Sequence, residues 1–183
     1  MSRDRILQAA STMFCRCGLR GVSIEDICHF IGIAKKTFYL FYEDKDDLVK
    51  EFVEASFSKI HVAIQDSSMP LEAIQRLRLF DSQLMDFLRI FYPTLIFDLR
   101  RHHNATYQIF SNNRVKLIEH LVSIIELGKQ QGTFRMLDSS VLAELRFNEL
   151  ETIFSKRNEI GLGELQRNQQ ELFDHYLAGL ILK

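Results

Sequence analysis

The sequence holds few residues that interrupt a helix and few that cross-link a chain. Only two prolines and eight glycines occur in 183 residues, so most of the chain is without helix breakers. Three cysteines, at positions 15, 17 and 28, are too few and too clustered for a disulfide framework. Their pattern predicts reduced thiols in a cytoplasmic protein. Cys15 and Cys17 would point to different faces of a helix, which argues against a metal pair.

No apolar run is long enough to cross a membrane. The longest, "PTLIF" and "LAGLIL", fall far short of the roughly 18 residues that a membrane span requires. The N-terminus begins with basic residues, but polar side chains interrupt any signal-like core and no small-residue cleavage site follows. We therefore expect neither membrane insertion nor export.

Charge of one sign is not in excess either. The formal net charge is −1, and residues 1–50 hold eight Lys and Arg against seven Asp and Glu. Such a chain has no overall field that attracts nucleic acid. Any contact with DNA must therefore come from the local placement of basic side chains.

Apolar residues recur at helical spacing from end to end. Breaks fall at "DSSMP" (66–70), at Pro93, at "GKQQGTFRMLDSS" (128–140) and at "NEIGLGE" (158–164). No strand alternation, internal repeat or low-complexity tract is present. The pattern predicts an all-α protein of about nine helices, the first three short.

The third predicted helix carries the most informative stretch, "KKTFYLFY" at 35–42. Wound at 100° per residue, it places Phe38, Phe41 and Tyr42 on one face, which we expect to pack on the first two helices. The opposite face contains no acid and consists of basic, hydroxyl and apolar side chains: Lys35, Lys36, Thr37, Tyr39 and Leu40.

Two lysines at the start of a helix oppose the helix dipole by about 0.3–1 kcal/mol. An anionic partner such as a phosphate would reverse that sign. The preceding predicted helix starts at Ser23, with Asp26 three residues later as in a capping box, and ends at Gly32. Two short helices joined by a turn, the second with a basic outer face, are typical of a helix-turn-helix. A solvated surface helix is the alternative reading of the same lysines.

Residues 5–49 resemble the N-terminal domain of the TetR family of transcriptional regulators. The matching residues run in fixed register along the segment: Ile6, Leu7, Ala9, Ala10, Phe14, Gly18, Ser23, Ile27, Gly32, Lys36, Thr37, Phe38, Tyr39, Lys45 and Leu48. Ala34 departs from the family pattern, in which Ser or Thr commonly caps the recognition helix, and Glu25 places an acid near the start of the second helix. The resemblance implies a DNA-binding domain over 1–47 and a helical regulatory and dimerisation domain over 48–183.

The resemblance also implies what each part does. The protein would be a repressor that leaves a palindromic double-stranded DNA operator when a small-molecule ligand binds the second domain. Seven residues would face DNA, with the first and last of them on backbone phosphates: Ser23, Lys35, Lys36, Thr37, Tyr39, Leu40 and Lys45. No enzymatic activity, cofactor or metal is expected.

The C-terminal part is predicted to form a homodimer. Its last segment, "ELFDHYLAGLILK", carries one wide apolar stripe that would make the subunit interface: Phe173, Tyr176, Leu177, Leu180 and Ile181. A terminal helix that faces its own core would carry the same stripe. For the ligand we expect contacts with Tyr92, Tyr107 and Phe110, in a region rich in aromatics where core packing is the alternative.

Two other classes of protein fit parts of the pattern. Asp98 and His102 stand four apart, a spacing that suits a metal, so a helical metalloenzyme is one alternative. However, the Glu-x-x-His signature of di-iron bundles is absent, as are the common hydrolase and phosphate-loop motifs. A helical interaction module that does not bind DNA is the second alternative.

Overall fold

The computed structural model of the chain describes residues 2–65, 72–91, 94–155 and 162–182. Within these ranges the chain forms nine α-helices and no strand, apart from an isolated antiparallel bridge between Phe134 and Ile181. The predicted all-α fold is confirmed. In chain order the helices are α1 Arg3–Cys17, α2 Ile24–Ile31, α3 Lys35–Phe38, α4 Lys45–Gln65, α5 Ala73–Phe91, α6 Thr94–His102, α7 Asn104–Gln130, α8 Ser139–Ser155 and α9 Leu162–Leu180. None of these helices is long and apolar enough to span a membrane.

The chain divides into two compact units. The first comprises Met1–Lys59 and Thr94–Asn112, and the second comprises Ile60–Pro93 and Asn113–Lys183. Helices α4 and α7 each contribute residues to both units. The domain boundary expected between residues 47 and 48 falls inside α4 and stays a prediction.

Helix α1 ends at a glycine, and α2 forms as its end signals predict. Helix α1 ends where Gly18, at φ 72°, donates its backbone N–H to the carbonyl of Phe14. Ser23 and Asp26 make the predicted capping box at the start of α2: the Ser23 hydroxyl accepts from the Asp26 amide, and the Asp26 carboxylate accepts from the Ser23 amide. Gly32, in the left-handed conformation at φ 69°, ends α2. These caps fix the turn that leads into α3.

Helix α3 is shorter than the sequence pattern predicts. The expected helix over 35–42 ends at Phe38, and the rest of the segment is a turn. Ala34 at the N-cap offers no side-chain oxygen, so the first turn of α3 is uncapped. The Phe41 amide bonds to the Phe38 carbonyl three residues back at 2.9 Å, which tightens the chain as in a 3₁₀ turn. The side-chain faces nevertheless stay close to those of a helix.

The second unit has a buried charged residue at its centre. Arg146 of α8 is 1% exposed, and its Nε and Nη2 donate to one carboxylate oxygen of Asp81 on α5 at 2.9 and 2.7 Å. Its Nη1 donates to Glu149 at 2.5 Å. The guanidinium also lies 5.5 Å from the ring centre of Phe173 and 5.6 Å from that of Tyr176, both on α9. One side chain therefore joins α5, α8 and α9.

Candidate nucleic-acid interface

The outer face of α3 and of the turn after it is exposed and carries the side chains expected there. Lys35 and Lys36 are exposed, Tyr39 is 54% and Leu40 73% exposed, and Thr37 is half-buried. With this exposure Leu40 contributes little to the fold. The contact of these side chains with DNA stays a prediction.

The inner face of the same segment fixes how α3 is oriented. Phe38 and Tyr42 are buried as predicted, whereas Phe41 is only half-buried. The ring centres of Phe38 and Tyr42 are 5.4 Å apart, and Tyr39 packs edge-on against Phe38 at 5.5 Å. Since Phe38 cannot leave this cluster without exposing its ring, the rotation of α3 about its axis is set.

Arg3 of α1 binds the turn that follows α3. Its Nη1 donates to the Phe41 carbonyl at 2.9 Å, and its Nε pairs with Glu51 of α4 at 2.7 Å. Its guanidinium lies over the Tyr42 ring, 4.5 Å from the ring centre. Burial raises the pKa of the Tyr42 phenol, which stays neutral. Helices α1 and α4 thus hold the turn that carries Tyr39 and Leu40.

The two lysines at the start of α3 differ in their surroundings. The Lys35 ammonium pairs with Glu25 of α2 at 2.8 Å, and this hydrogen bond raises the pKa of Lys35. Lys36 is exposed and has no ion pair among the described residues. Lys36 is therefore the lysine that can meet a phosphate without first breaking a contact, while Glu25 presents a negative charge beside Lys35.

The side chain of Lys45 is more buried than is usual for a lysine that binds a phosphate at the protein surface. It is half-buried at the start of α4, and its ammonium donates to the carbonyl of Leu19. Burial lowers the pKa of Lys45, and the carboxylates of Asp98, Asp46 and Asp26 oppose that shift. An ammonium has three donors, so a phosphate contact stays a prediction for Lys45.

The hydroxyl of Ser23 makes its hydrogen bonds within the N-terminal cap of α2. This hydroxyl accepts from the Asp26 amide at 3.1 Å and donates to the Asp26 carboxylate at 2.6 Å. These bonds lower the pKa of Asp26. The expected phosphate contact of Ser23 stays a prediction.

Two exposed side chains of α2, Phe30 and Glu25, are not among the residues that the sequence predicts to face DNA. Phe30 of α2 is 60% exposed. The signal was available, because Phe30 falls outside the apolar stripe of Ile24, Ile27, Cys28 and Ile31. Glu25 departs from the family pattern, but its pairing with Lys35 depends on how α2 and α3 pack.

Two of the three expected ligand residues, Tyr107 and Phe110, lie within the described residues. Tyr92 lies outside the described residues. Tyr107 is half-buried and stacks on Phe110 with ring centres 6.3 Å apart, and Phe110 is buried against Phe57 at 5.4 Å. Both described residues therefore take part in aromatic packing of the first unit, and their role in ligand binding stays a prediction.

The expected dimer stripe on α9 is covered within a single chain. Phe173, Leu177 and Leu180 are buried, and Tyr176 and Ile181 are half-buried. The Tyr176 hydroxyl donates to the Leu142 carbonyl of α8 at 3.1 Å. The stripe thus faces its own unit, as in the alternative that the sequence leaves open, and its part in a subunit interface stays a prediction.

Asp98 and His102, the suggested metal pair, do not share an environment. Asp98 is 7% exposed and accepts from the Arg20 amide at 3.2 Å, whereas His102 is exposed. Among the described residues no group of three or more metal-ligating side chains comes together.

Comparison with known proteins agrees with the geometry of the first three helices. Residues 6–52 match the family model of bacterial regulatory proteins, tetR family. The HTH-type transcriptional repressor KstR2 of Mycolicibacterium smegmatis is 25% identical over 138 residues, which span 73% of this chain and 67% of that protein.

Solved structures show the same fold over the whole chain. The ketosteroid transcriptional regulator KstR2 of Mycobacterium tuberculosis superposes with a TM-score of 0.74 at 17% identity, covering 100% of this chain and 97% of that chain. A putative transcriptional regulator from Saccharomonospora viridis, in complex with choline, superposes with a TM-score of 0.83 at 19% identity, covering 99% of this chain and 98% of that chain. Residues 6–52 thus match the DNA-binding domain of the bacterial tetR family, and the chain is a TetR-like DNA-binding transcriptional regulator.

Proposed function

We propose that this protein is a cytoplasmic repressor that binds a near-palindromic operator as a homodimer and releases it when a small molecule binds the second unit. The observation that carries the DNA-binding part is the exposed face of α3, where Lys36 stands without an ion pair among the described residues beside exposed Tyr39 and Leu40. The name of the KstR2 relative supports repression. Sequencing of the genomic fragments that the purified protein retains would identify the operator.

Each side chain on this face has a distinct use on a duplex. Lys36 supplies a charge for phosphate, which positions the helix without reading sequence. Thr37 can donate to a base edge or a phosphate, and Leu40 offers an apolar contact for a thymine methyl group. The DNA-binding unit of one subunit has few cations to meet phosphates. The DNA-binding units of both subunits must therefore bind the same duplex for tight and specific binding.

Replacing Lys36 with alanine should weaken binding to many DNA sequences by a similar factor. Each lost phosphate contact lowers the slope of log affinity against log salt by about one unit, so a bound dimer should lose about two. Fluorescence anisotropy at several salt concentrations measures both quantities. Lys59→Ala removes the same charge farther along α4 and should leave the slope unchanged. An unaltered slope in Lys36→Ala would remove Lys36 from the interface.

Replacing Glu25 with glutamine should strengthen DNA binding. The change removes a carboxylate that pairs with Lys35 at 2.8 Å and that repels an approaching phosphate. A charge contact at about 4 Å in water is worth about 1 kcal/mol, so we expect roughly a fivefold gain per half-site. Glu54→Gln, an exposed change on α4, controls for net charge. Equal or weaker binding by Glu25→Gln would show that the Lys35–Glu25 pair is needed intact.

For the dimer we propose the outer faces of α8 and α9, since the inner faces are already covered. Val141 and Leu145, four residues apart on α8, are 55% and 57% exposed, and Leu182 after α9 is 50% exposed. Ala178 is exposed on α9. An apolar face of this kind suits the self-complementary contact of a two-fold dimer.

The double change Val141→Asp and Leu145→Asp should convert a dimer into a folded monomer. Charges in the proposed interface have no partner there, and both positions are exposed in the single chain, so the fold should survive. Analytical ultracentrifugation at micromolar concentration gives the mass, with Val115→Asp, at a 51% exposed site on α7, as the control. A wild type that sediments as a monomer, or a double variant that stays dimeric, would contradict this interface.

A further inference from the structure

A polar pocket of about 340 Å³ lies between α5 and α9 within the second unit. Its size falls at the lower end of the range for small-molecule sites, roughly 300–1,000 Å³. Met85 and Phe173, both buried, form an apolar wall, and charged and amide side chains of both helices line the rest. The pocket contains neither Tyr107 nor Phe110, the described residues that the sequence suggested for ligand contact.

The charged side chains around this pocket differ in whether they have an ion-pair partner. The carboxylate of Asp81 accepts two hydrogen bonds from buried Arg146, and Asp86 pairs with Arg89 at 3.2 Å. Both carboxylates of the lining therefore have a guanidinium partner. Arg78 lies over the Phe173 ring, 5.4 Å from its centre, and makes no ion pair among the described residues. Arg146 is shared between Asp81 and Glu149, so Arg78 is the guanidinium of the lining whose charge has no ion-pair partner in the described part of the chain and can bind an anion.

Besides Arg78, Gln169 of α9 offers the pocket a hydrogen-bond donor that has no acceptor among the described residues. The residue is 7% exposed, lines the pocket, and its side-chain nitrogen is buried with no hydrogen-bond acceptor among the described residues. Burying an amide N–H without an acceptor is unfavourable, and such groups are rare in folded proteins. An acceptor brought in by a ligand would satisfy it.

We propose that this pocket binds a small monocarboxylate with an apolar tail. The carboxylate only accepts hydrogen bonds, so it can take them from both Arg78 and Gln169, and its single charge matches the one unpaired guanidinium. The tail packs on Met85 and Phe173. A cation is disfavoured by Arg78, and a dianion would exceed the available positive charge. That the carboxylate is the effector rests on the proposed function, whereas its binding does not.

Isothermal titration of the full-length protein without DNA tests the binding. The probes are hexanoate, hexanamide with the same tail and no charge, and choline with the opposite charge. We expect hexanoate to bind at least about tenfold more tightly than hexanamide, as charge-assisted hydrogen bonds are roughly twice as strong as neutral ones. Arg78→Gln should remove this preference. Arg167→Gln, an exposed change on α9 outside the pocket lining, should retain it.

Gln169→Leu separates a ligand-binding role from a structural one. The variant should weaken hexanoate binding and yet raise the Tm by about 2–4 °C, because it removes a buried donor that lacks an acceptor. A glutamine that only supports the fold would give a lower Tm when replaced.

Three results would overturn the proposal: no hexanoate binding at millimolar concentration, equal binding of hexanamide, or tighter binding of choline. An unchanged hexanoate preference in Arg78→Gln would also overturn it. If hexanoate binds but leaves DNA affinity unaltered, the pocket stands and the effector part of the proposed function fails.

Discussion

Replacing Phe38 with alanine is expected to unfold the DNA-binding unit rather than to remove a DNA contact. The ring is fully buried, packs on Tyr42 at 5.4 Å and on Tyr39 at 5.5 Å, and lies on the inner face of a helix only four residues long. A Phe→Ala change in a core costs about 3–5 kcal/mol, from the lost transfer free energy and the cavity left behind. So short a helix has little stability of its own to offset that loss.

Urea unfolding at a fixed protein concentration measures the stability change. Leu40→Ala is the matched control, because Leu40 is two residues away and 73% exposed. That variant should keep its free energy of unfolding and lose only DNA affinity. If Phe38→Ala is as stable as wild type, the inner and outer faces of α3 have been assigned the wrong way round.

Replacing Arg146 with methionine is expected to destabilise the second unit by about 3–5 kcal/mol, since it leaves the carboxylate of Asp81 buried without its partner. Arg146 is 1% exposed, donates twice to Asp81 and once to Glu149, and packs on the rings of Phe173 and Tyr176. Methionine retains much of the volume, so the lost charge and hydrogen bonds dominate.

The loss of stability in Arg146→Met should depend on pH. Burial already raises the pKa of Asp81, and Arg146 is the group that opposes this shift, so its removal raises the pKa further. A folded-state pKa above the unfolded value of about 4 means that the folded protein binds the proton more tightly. The variant should therefore be closest to wild type at acidic pH and lose stability as pH rises through the folded pKa.

A compensating change tests the cause. Adding Asp81→Leu to Arg146→Met removes both buried charges and should recover much of the stability, because an apolar replacement of a buried pair is often neutral. Thermal melts of the single and double variants between acidic and neutral pH would show this. A single variant with no pH dependence, or a double variant less stable than the single one, would contradict this account of Arg146.

The features of this protein that depend on near neighbours in the chain were predictable from its sequence. The all-α class follows from apolar spacing, and the limits of α2 follow from Ser23, Asp26 and Gly32, which act within a few residues of themselves. The burial of Phe38 and Tyr42 followed from helical geometry although α3 proved shorter, because the Tyr42 amide still bonds to the Phe38 carbonyl four residues back at 3.2 Å.

Only the tertiary structure decided which partners distant side chains find. Arg146 meets Asp81 across 65 positions, and Lys45 reaches the Leu19 carbonyl across 26. Nothing local to Lys45 distinguishes an ammonium bound to the protein backbone from one offered to phosphate. The same holds for the stripe on α9, because an apolar helix face has the same periodicity whether its own chain or a second copy covers it.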